Sequence, residues 1–409
     1  MVQEYFHSIR VDKEKCIGCT NCIKSCPTEA IRVRDAKAVI IDERCIDCGY
    51  CIKVCPYHAI NSTGDDVEDI NSFKYRIVIP EPSLYGQFKI ECTRNRILTA
   101  LKIIGFEEIF EASRGAEIVS FVSKKLLKED NTKKPLISSA CPAVVRLIQL
   151  RFPNLIPNLL RVEMPMEVAA KKAKDIVCGQ KQIPEGDIGV FFVSPCPAKI
   201  TSVKSPIYKE KSFINGVISM RDIYVRICSI LANRTDVQNL EHAGHDGIMW
   251  ANSSGEAKAL GTENYLAVDG IDNVISILEE VENDRLGDID FIETLACPGG
   301  CIGGPLNAES VYVAKSRVNK IISKAKRIEF KKEEIQNFEN FIWRDFLEYK
   351  PIMKLDLDFK KAIIKMEKLD NIHKILPKAD CGICGSPSCR ALAEDIVRGD
   401  AEISKCIFL

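Results

Sequence analysis

The chain has 409 residues, enough for two or three domains and a sizeable core, and its 57 basic and 57 acidic side chains leave no formal net charge. That balance excludes a nucleic-acid footprint. No apolar run approaches the ~18 residues of a membrane span, and the first residues, "MVQEYFHSIRVDKEK", carry no signal-peptide core. A cytoplasmic protein with no membrane span and no nucleic-acid partner is expected, and its nineteen cysteines then favour metal or redox chemistry over disulfides.

The first element is an internal repeat. "CIGCTNCIKSCP" supplies Cys16, Cys19, Cys22 and Cys26, and "CIDCGYCIKVCP" supplies Cys45, Cys48, Cys51 and Cys55, each ending in proline and offset by 29 residues. The spacing C-x2-C-x2-C-x3-C-P is that of a two-cluster ferredoxin, in which the fourth cysteine of each half crosses to the other cluster. One 4Fe–4S cluster is therefore assigned to Cys16, Cys19, Cys22 and Cys55, and a second to Cys45, Cys48, Cys51 and Cys26. Zinc sites pair two C-x2-C hooks across a longer gap, which this density of cysteines does not match. Between the halves, "IRVRDAKAVIID" alternates apolar and polar residues and predicts a hairpin. Residues 1–62 are expected to form this module, and the polar, acidic stretch 61–74, "NSTGDDVEDINSFK", to be a linker.

Three apolar runs follow: "KKPLISSACP" ending at Cys141, "DIGVFFVSPCPAK" reaching Cys196, and "DIDFIETLACPGGC" reaching Cys297 and Cys301. Continuous apolar runs separated by helical patterns read as buried parallel strands covered by helices, whose carboxyl ends open onto one crevice. Four cysteines from three distant segments are thus expected to meet there. Gly299, Gly300, Gly303 and Gly304 are read as making room for a group bulkier than a cubane. Cys92, Cys178 and Cys228 read as ordinary small hydrophobes, Cys228 on a helical stripe with Ile223, Ile227, Ile230 and Leu231. Residues 325–372, including "EEIQNFENFIWRDFLEY", look helical and are expected to tie this region to the last. There, Cys381, Cys384, Cys389 and Cys406 have the spacing C-x2-C-x4-C-x16-C around a helix over 390–398, with Ser388 near its start and Gly399 as its stop. This segment, 374–409, resembles the small 4Fe–4S domain of electron-transfer subunits and corrinoid iron–sulfur proteins.

"SSACP", "SPCPAK" and "ETLACPGGCIGG" resemble, in order, the three signature segments of the iron-only (FeFe) hydrogenases. The resemblance implies an α/β hydrogenase-type domain over about 75–350 between an α+β ferredoxin module and a small helical cluster domain. It also implies an H-cluster: a 4Fe–4S cubane on Cys141, Cys196, Cys297 and Cys301, with Cys301 bridging to a di-iron unit that carries CO, cyanide and a dithiolate. Three accessory 4Fe–4S clusters would complete the electron path. Lys199 matches the lysine that hydrogen-bonds a cyanide, and Glu293 opens the third segment. H2, protons, a ferredoxin- or flavodoxin-like redox partner and maturation proteins are the implied partners.

Departures from the family pattern are equally informative. Ala140 stands where the prototypical enzymes have a proton-passing cysteine, and the upstream relay carboxylates fall on "IVSFVSKKLL", where Ser123 and Lys124 stand and no acid precedes Glu129. Ser194 and Leu295 replace methionines beside the di-iron unit, Met166 replaces a polar residue, and "WANSSG" from Trp250 places Ala251 and Ser254 where glycines are usual. Pro195 keeps the pattern. A slow hydrogenase of the sensory branch is therefore expected, drawing protons through Glu163, Glu167 or Ser194 and signalling to a partner protein. An iron–sulfur assembly factor, or a plain electron carrier lacking the di-iron unit, is the competing reading.

Overall fold

The computed structural model describes residues 5–129, 133–330, 337–352 and 354–409. They form two compact units: Ile9–Ser62 with Tyr349–Leu409, and Met1–Ser8 with Thr63–Glu348.

The smaller unit holds both outer cysteine-rich segments. Strands β1 (Ile9–Val11) and β4 (Ile60–Ser62) pair antiparallel, as do β2 (Ile31–Arg34) and β3 (Lys37–Ile40). The hairpin turns through Asp35 and Ala36, both at positive φ, which places the "DA" pair at the tip. The helix Cys389–Arg398 starts where expected: Ser388 Oγ accepts from the Ala391 amide, and Gly399 ends it at φ 89°. It packs through Leu392, Ala393 and Val397 against Leu369 of the preceding helix, Phe359–Ile375, and Leu376 just past its end.

What fixes that helix to the hairpin is buried charge. Arg32 Nε lies 2.7 Å from Asp395 Oδ2, Arg34 Nη2 reaches the same oxygen at 2.7 Å, and Ser386 Oγ donates to it at 2.6 Å. Arg44 pairs with Glu394, which also accepts from Arg398 Nε at 2.8 Å. The backbone joins in: the Val33 amide donates to the Gly385 carbonyl at 2.7 Å. Gly385 sits at φ +82°, and a Cβ there would collide with the Val33 carbonyl, so only glycine lets the chains meet this closely.

The larger unit is built on two parallel sheets. The first runs in the order β6 (Glu108–Ile109), β5 (Tyr75–Pro80), β8 (Ile188–Ser194), β9 (Gly216–Ser219), with Ile79 opposite Phe192 and Ser194 opposite Ser219. The second runs β10 (Tyr265–Asp269), β11 (Phe291–Leu295), β7 (Leu136–Ile137), with Phe291 opposite Leu136. Every residue of β8 and β11 is buried, as continuous apolar runs in a covered parallel sheet require. The cysteine-bearing strands therefore divide between two sheets rather than extending one.

Two further expectations change. The stretch 61–74 is structured: Val67 and Ile70 are buried in a 3-10 turn, Val67–Ser72, and Asp65 pairs with Lys204. Of 325–372, residues 331–336 and 353 lie outside the described residues. In the rest a helix forms only from Phe359, and Phe338–Phe341 is a 3-10 turn. The aromatic residues that suggested a helix are used for packing instead: Trp343 stacks on Tyr208 at 4.1 Å, and Phe341 is buried.

Candidate functional site

The repeated Cys-Pro pairs have a local explanation. Cys141 and Cys196 each occupy the N-cap of a helix, Pro142–Arg151 and Pro197–Lys204, with proline in the first turn. Proline is favoured there because its missing N–H is one the helix leaves unpaired anyway, and the helix dipole favours negative charge at that end. Each strand thus hands its cysteine to a helix N-terminus. Cys297 follows β11 directly, and the chain then turns through the glycines to the 3-10 turn Cys301–Gly303.

The four thiols lie close enough to act on one another. Burial pushes Cys196 up to about 12, with Cys297 and Cys141 adding to the rise against Lys199. Burial likewise raises Cys301 against the pull of Lys199, with Glu81, Cys196 and Cys141 adding to the rise. Burial opposes the charge on Lys199, but Cys301, Glu81, Cys196 and Cys141 more than offset it and hold the ammonium well above the usual lysine range. Lys199 Nζ sits 3.6 Å from Cys301 Sγ and 3.8 Å from Glu81 Oε1.

Beside this group opens a small crevice, a cavity of about 40 Å³, faced by Cys301, Lys199, Glu81, Ala140, Met166 and Leu295 among others. Four thiols in mutual reach are the donor set of a 4Fe–4S cubane, and a crevice shared by one of those thiols and a buried ammonium suits an attached anionic group. The residues present therefore fit an H-cluster.

A family model described as "Iron only hydrogenase large subunit, C-terminal domain" matches residues 74–264 and 235–305, together more than half of the chain. The chain belongs to the iron-only hydrogenase large subunit family. A 4Fe-4S dicluster domain matches 8–56 and an Fe-S cluster domain 376–408, so this hydrogenase-family chain also carries accessory iron–sulfur domains. Iron hydrogenase 1 of Clostridium pasteurianum is 25% identical over 397 residues, covering 78% of this chain and 69% of that protein. A cytosolic Fe-S cluster assembly factor of Yarrowia lipolytica is 26% identical over 96 residues, covering 24% of this chain and 19% of that protein. Among solved structures, a variant of the [FeFe]-hydrogenase HydA1 from Chlamydomonas reinhardtii shares the fold, with a TM-score of 0.53 and 15% identity over 69% of this chain and 94% of that one.

In this hydrogenase-family site the glycines serve the protein's own backbone. Gly299 and Gly300 have φ of +82° and +91°, and a Cβ on Gly303 or Gly304 would strike the carbonyl of Pro298 or Pro195. The loop threads against the Trp250 segment, the Ser253 amide donating to Gly299 at 3.0 Å and the Ile302 amide to Ala251 at 3.1 Å.

Not every expected residue faces the crevice. Met166, Leu295, Trp250, Ala140 and Glu293 do; Ser194 and Pro195 sit behind it, Ser194 Oγ donating to the Cys196 carbonyl at 2.8 Å and the Pro195 carbonyl accepting from Leu306 at 2.9 Å. Glu163 and Glu167 turn away to Lys209, at 3.0 and 2.9 Å. On the relay side, Trp250 Nε1 donates to Ser120 Oγ at 3.0 Å, and Ser123 Oγ is buried without a partner among the described residues.

Two acids that the sequence reading passed over face the crevice as well. Glu81 follows β5. Glu256 accepts from Ser138 Oγ, which in turn accepts from the Ala140 amide at 3.2 Å. Burial and the neighbouring Glu293 push Glu256 well above the usual carboxylate range. Burial pushes Glu293 up to about 7 despite amide N–H groups of Ala257 and Ser254, each 2.9 Å away. Glu256, in "SSGEAKAL", has the look of an exposed first-turn acid; only the tertiary fold marks it.

In the smaller unit the thiols of the two repeats lie close enough to act on one another. Burial pushes Cys22 up to about 11, with Cys16, Cys19 and Cys55 contributing. Burial raises Cys51, with Cys48, Cys26 and Cys22 contributing. The repeat shows in the bonds: the Ala30 amide donates to Cys26 Sγ at 3.2 Å, and the Ala59 amide to Cys55 Sγ at 3.3 Å. Cys389 and Cys406 are buried in the terminal core with Cys384 packed against it, and Cys381 is exposed. Cys92, Cys178 and Cys228 are each half-buried.

Proposed function

We propose that this protein is a slow, sensory-type FeFe hydrogenase that interconverts H2 with protons and electrons. The observation that carries the reading is the crevice where Cys301, Lys199 and Ala140 meet. Cys141, Cys196, Cys297 and Cys301 would hold the cubane, Cys301 also the di-iron unit, and the bound H-cluster supplies the H–H bond chemistry. Three accessory clusters, on the two ferredoxin sets and on Cys381, Cys384, Cys389 and Cys406, exchange electrons with a ferredoxin- or flavodoxin-like partner.

The chain's own part is to orient, exclude water and manage protons. Lys199 presents an ammonium to an anionic ligand beside Cys301. Met166, Leu295 and Trp250 keep that face apolar. Ala140 has no exchangeable proton, and Ser120 and Ser123 offer no carboxylate behind it. Glu293, with its proton equilibrium near neutrality, and Glu256, linked through Ser138 to the Ala140 backbone, are carboxyls at the crevice that can hold a proton. Glu163, Glu167 and Ser194 are not favoured for this role because they face elsewhere. A route without an exchangeable proton at position 140 is expected to be slower than one through a thiol there, and slow turnover suits a sensor that reports to a signalling partner.

The test is to load the chain with the di-iron unit, through maturation proteins or synthetically, and record its infrared spectrum and H2 evolution. Bands of metal-bound CO and cyanide are expected, with H2 evolution rising by roughly 10²–10⁴ in Ala140→Cys. No such bands after competent loading would favour an assembly factor, the reading supported by the 96-residue likeness to the Yarrowia protein. Bands with an unchanged rate would clear Ala140 of responsibility.

A further inference from the structure

Glu81 is placed where a carboxylate needs a reason. It follows the last residue of β5, whose neighbour β8 leads to Cys196, and it is only 3% exposed. Its Oε2 caps the turn Pro82–Gln87, accepting from the Ser83 amide at 2.7 Å and from Ser83 Oγ. Capping alone does not explain glutamate there, since the shorter Ser, Thr, Asp and Asn are the usual caps and a buried charge is costly without a counter-charge. The counter-charge is Lys199, 3.8 Å from Oε1, which in turn lies 3.6 Å from Cys301 Sγ. One ammonium is therefore shared between a fixed carboxylate and a cysteine sulfur, inside a crevice that both side chains face.

We propose that Glu81 is a positioning residue that holds Lys199 between itself and Cys301, and that its fixed negative charge lowers the one-electron reduction potential of the cluster on Cys301. The inference rests on the reading that Cys141, Cys196, Cys297 and Cys301 hold a cluster. Its physics is direct: reduction adds a negative charge, and a carboxylate within two contacts opposes it at low effective dielectric. Lys199, anchored by Glu81, is also less free to follow a ligand, so the two act together on the same end of the crevice.

The experiment is a redox titration, followed by electron paramagnetic resonance, of the full chain reconstituted anaerobically with iron and sulfide. The central cluster is identified as the signal that Cys196→Ala removes. In Glu81→Gln its reduced-to-oxidised ratio at fixed potential should rise about tenfold, roughly 59 mV upward for one electron. Glu81→Asp, which keeps the charge, should stay within about a third of that shift, and the accessory signals should not move. Equal shifts in both variants, no shift in Glu81→Gln, or loss of the cluster from it would each make the residue merely structural and overturn the proposal. Absence of any signal sensitive to Cys196→Ala in the unsubstituted chain would instead overturn the cluster reading, and this inference with it.

Discussion

Glu394 and Glu293 are both buried carboxylates, one in each unit, and they are held in opposite ways. Burial alone would raise Glu394, but Arg44 and Arg398 more than offset it and hold it below the usual carboxylate range. Glu293 has amide N–H groups for company and no cation, and burial carries it up to about 7. Charge in the smaller unit is neutralised in place and serves to fix one module on another. Beside the crevice Glu293 is left without such a partner among the described residues, whereas Glu81 there is paired with Lys199. The same side chain is thus held charged in one place and pushed toward its neutral form in the other, and the difference lies in what faces it.

The largest test of the contrast removes the shared anion of the smaller unit. Asp395→Ala leaves Arg32 buried without its counter-charge, which typically costs about 3–5 kcal/mol. The expected result is a large fall in the urea concentration at which the accessory-cluster absorbance is lost. Both tryptophans, Trp250 and Trp343, lie in the larger unit, so their fluorescence should change at the urea concentration it does in the unsubstituted chain. A parallel fall in both signals would mean that the ion pairs support more than the terminal module.

A smaller effect distinguishes the two carboxylates by pH. Glu394 has a depressed folded-state value, so its contribution is present above the unfolded value near 4.5 and is lost as the pH falls through the folded one. Glu293 is raised, so its contribution is full below about 4.5 and is lost as the pH rises toward about 7. Glu293→Gln abolishes that loss, and by tryptophan fluorescence the larger unit of the variant should gain roughly 1–3 kcal/mol, relative to the unsubstituted chain, between pH 4 and pH 8. A difference that does not vary with pH would place the Glu293 proton equilibrium outside this range and remove it from the proton route.

How far the sequence led differs between the regions for the same reason. The ferredoxin cysteines lie in two runs of eleven residues each, so spacing alone brings them together, and Cys22 acts on Cys51 as well, so the two sets adjoin. Cys141, Cys196, Cys297 and Cys301 were legible because each ends a buried apolar run at a Cys-Pro or glycine turn. Their division between two sheets was not, because strand pairing is non-local. Arg32, Arg44, Glu394 and Asp395 were invisible as a set: each in its own segment reads as a solvated face, and burial appears only when hairpin and terminal helix meet. Glu81 and Glu256 were missed likewise, since a lone acid near a turn or a first helical turn carries no spacing signal. The glycines of the third segment also clear backbone that spacing does not show, that of Pro195 and of the segment 251–253.

The least disruptive test asks whether attachment in the smaller unit is charge alone or also local helix chemistry. Ser388 Oγ accepts from the Ala391 amide at 3.1 Å and also bonds Glu29 Oε1 at 3.0 Å, so one hydroxyl caps the terminal helix and touches the ferredoxin half. Ser388→Ala removes both bonds but leaves Arg32, Arg34 and Asp395 in place. Loss of an N-cap typically costs about 1 kcal/mol, and a bond from an accessible glutamate adds little. The accessory-cluster transition should therefore shift by about a quarter of the Asp395→Ala effect. A shift as large as that of Asp395→Ala would mean that the cap organises the ion pairs, since Asp395 lies two turns along the helix that Ser388 starts. A shift near zero would mean that the buried charges hold the helix end without it.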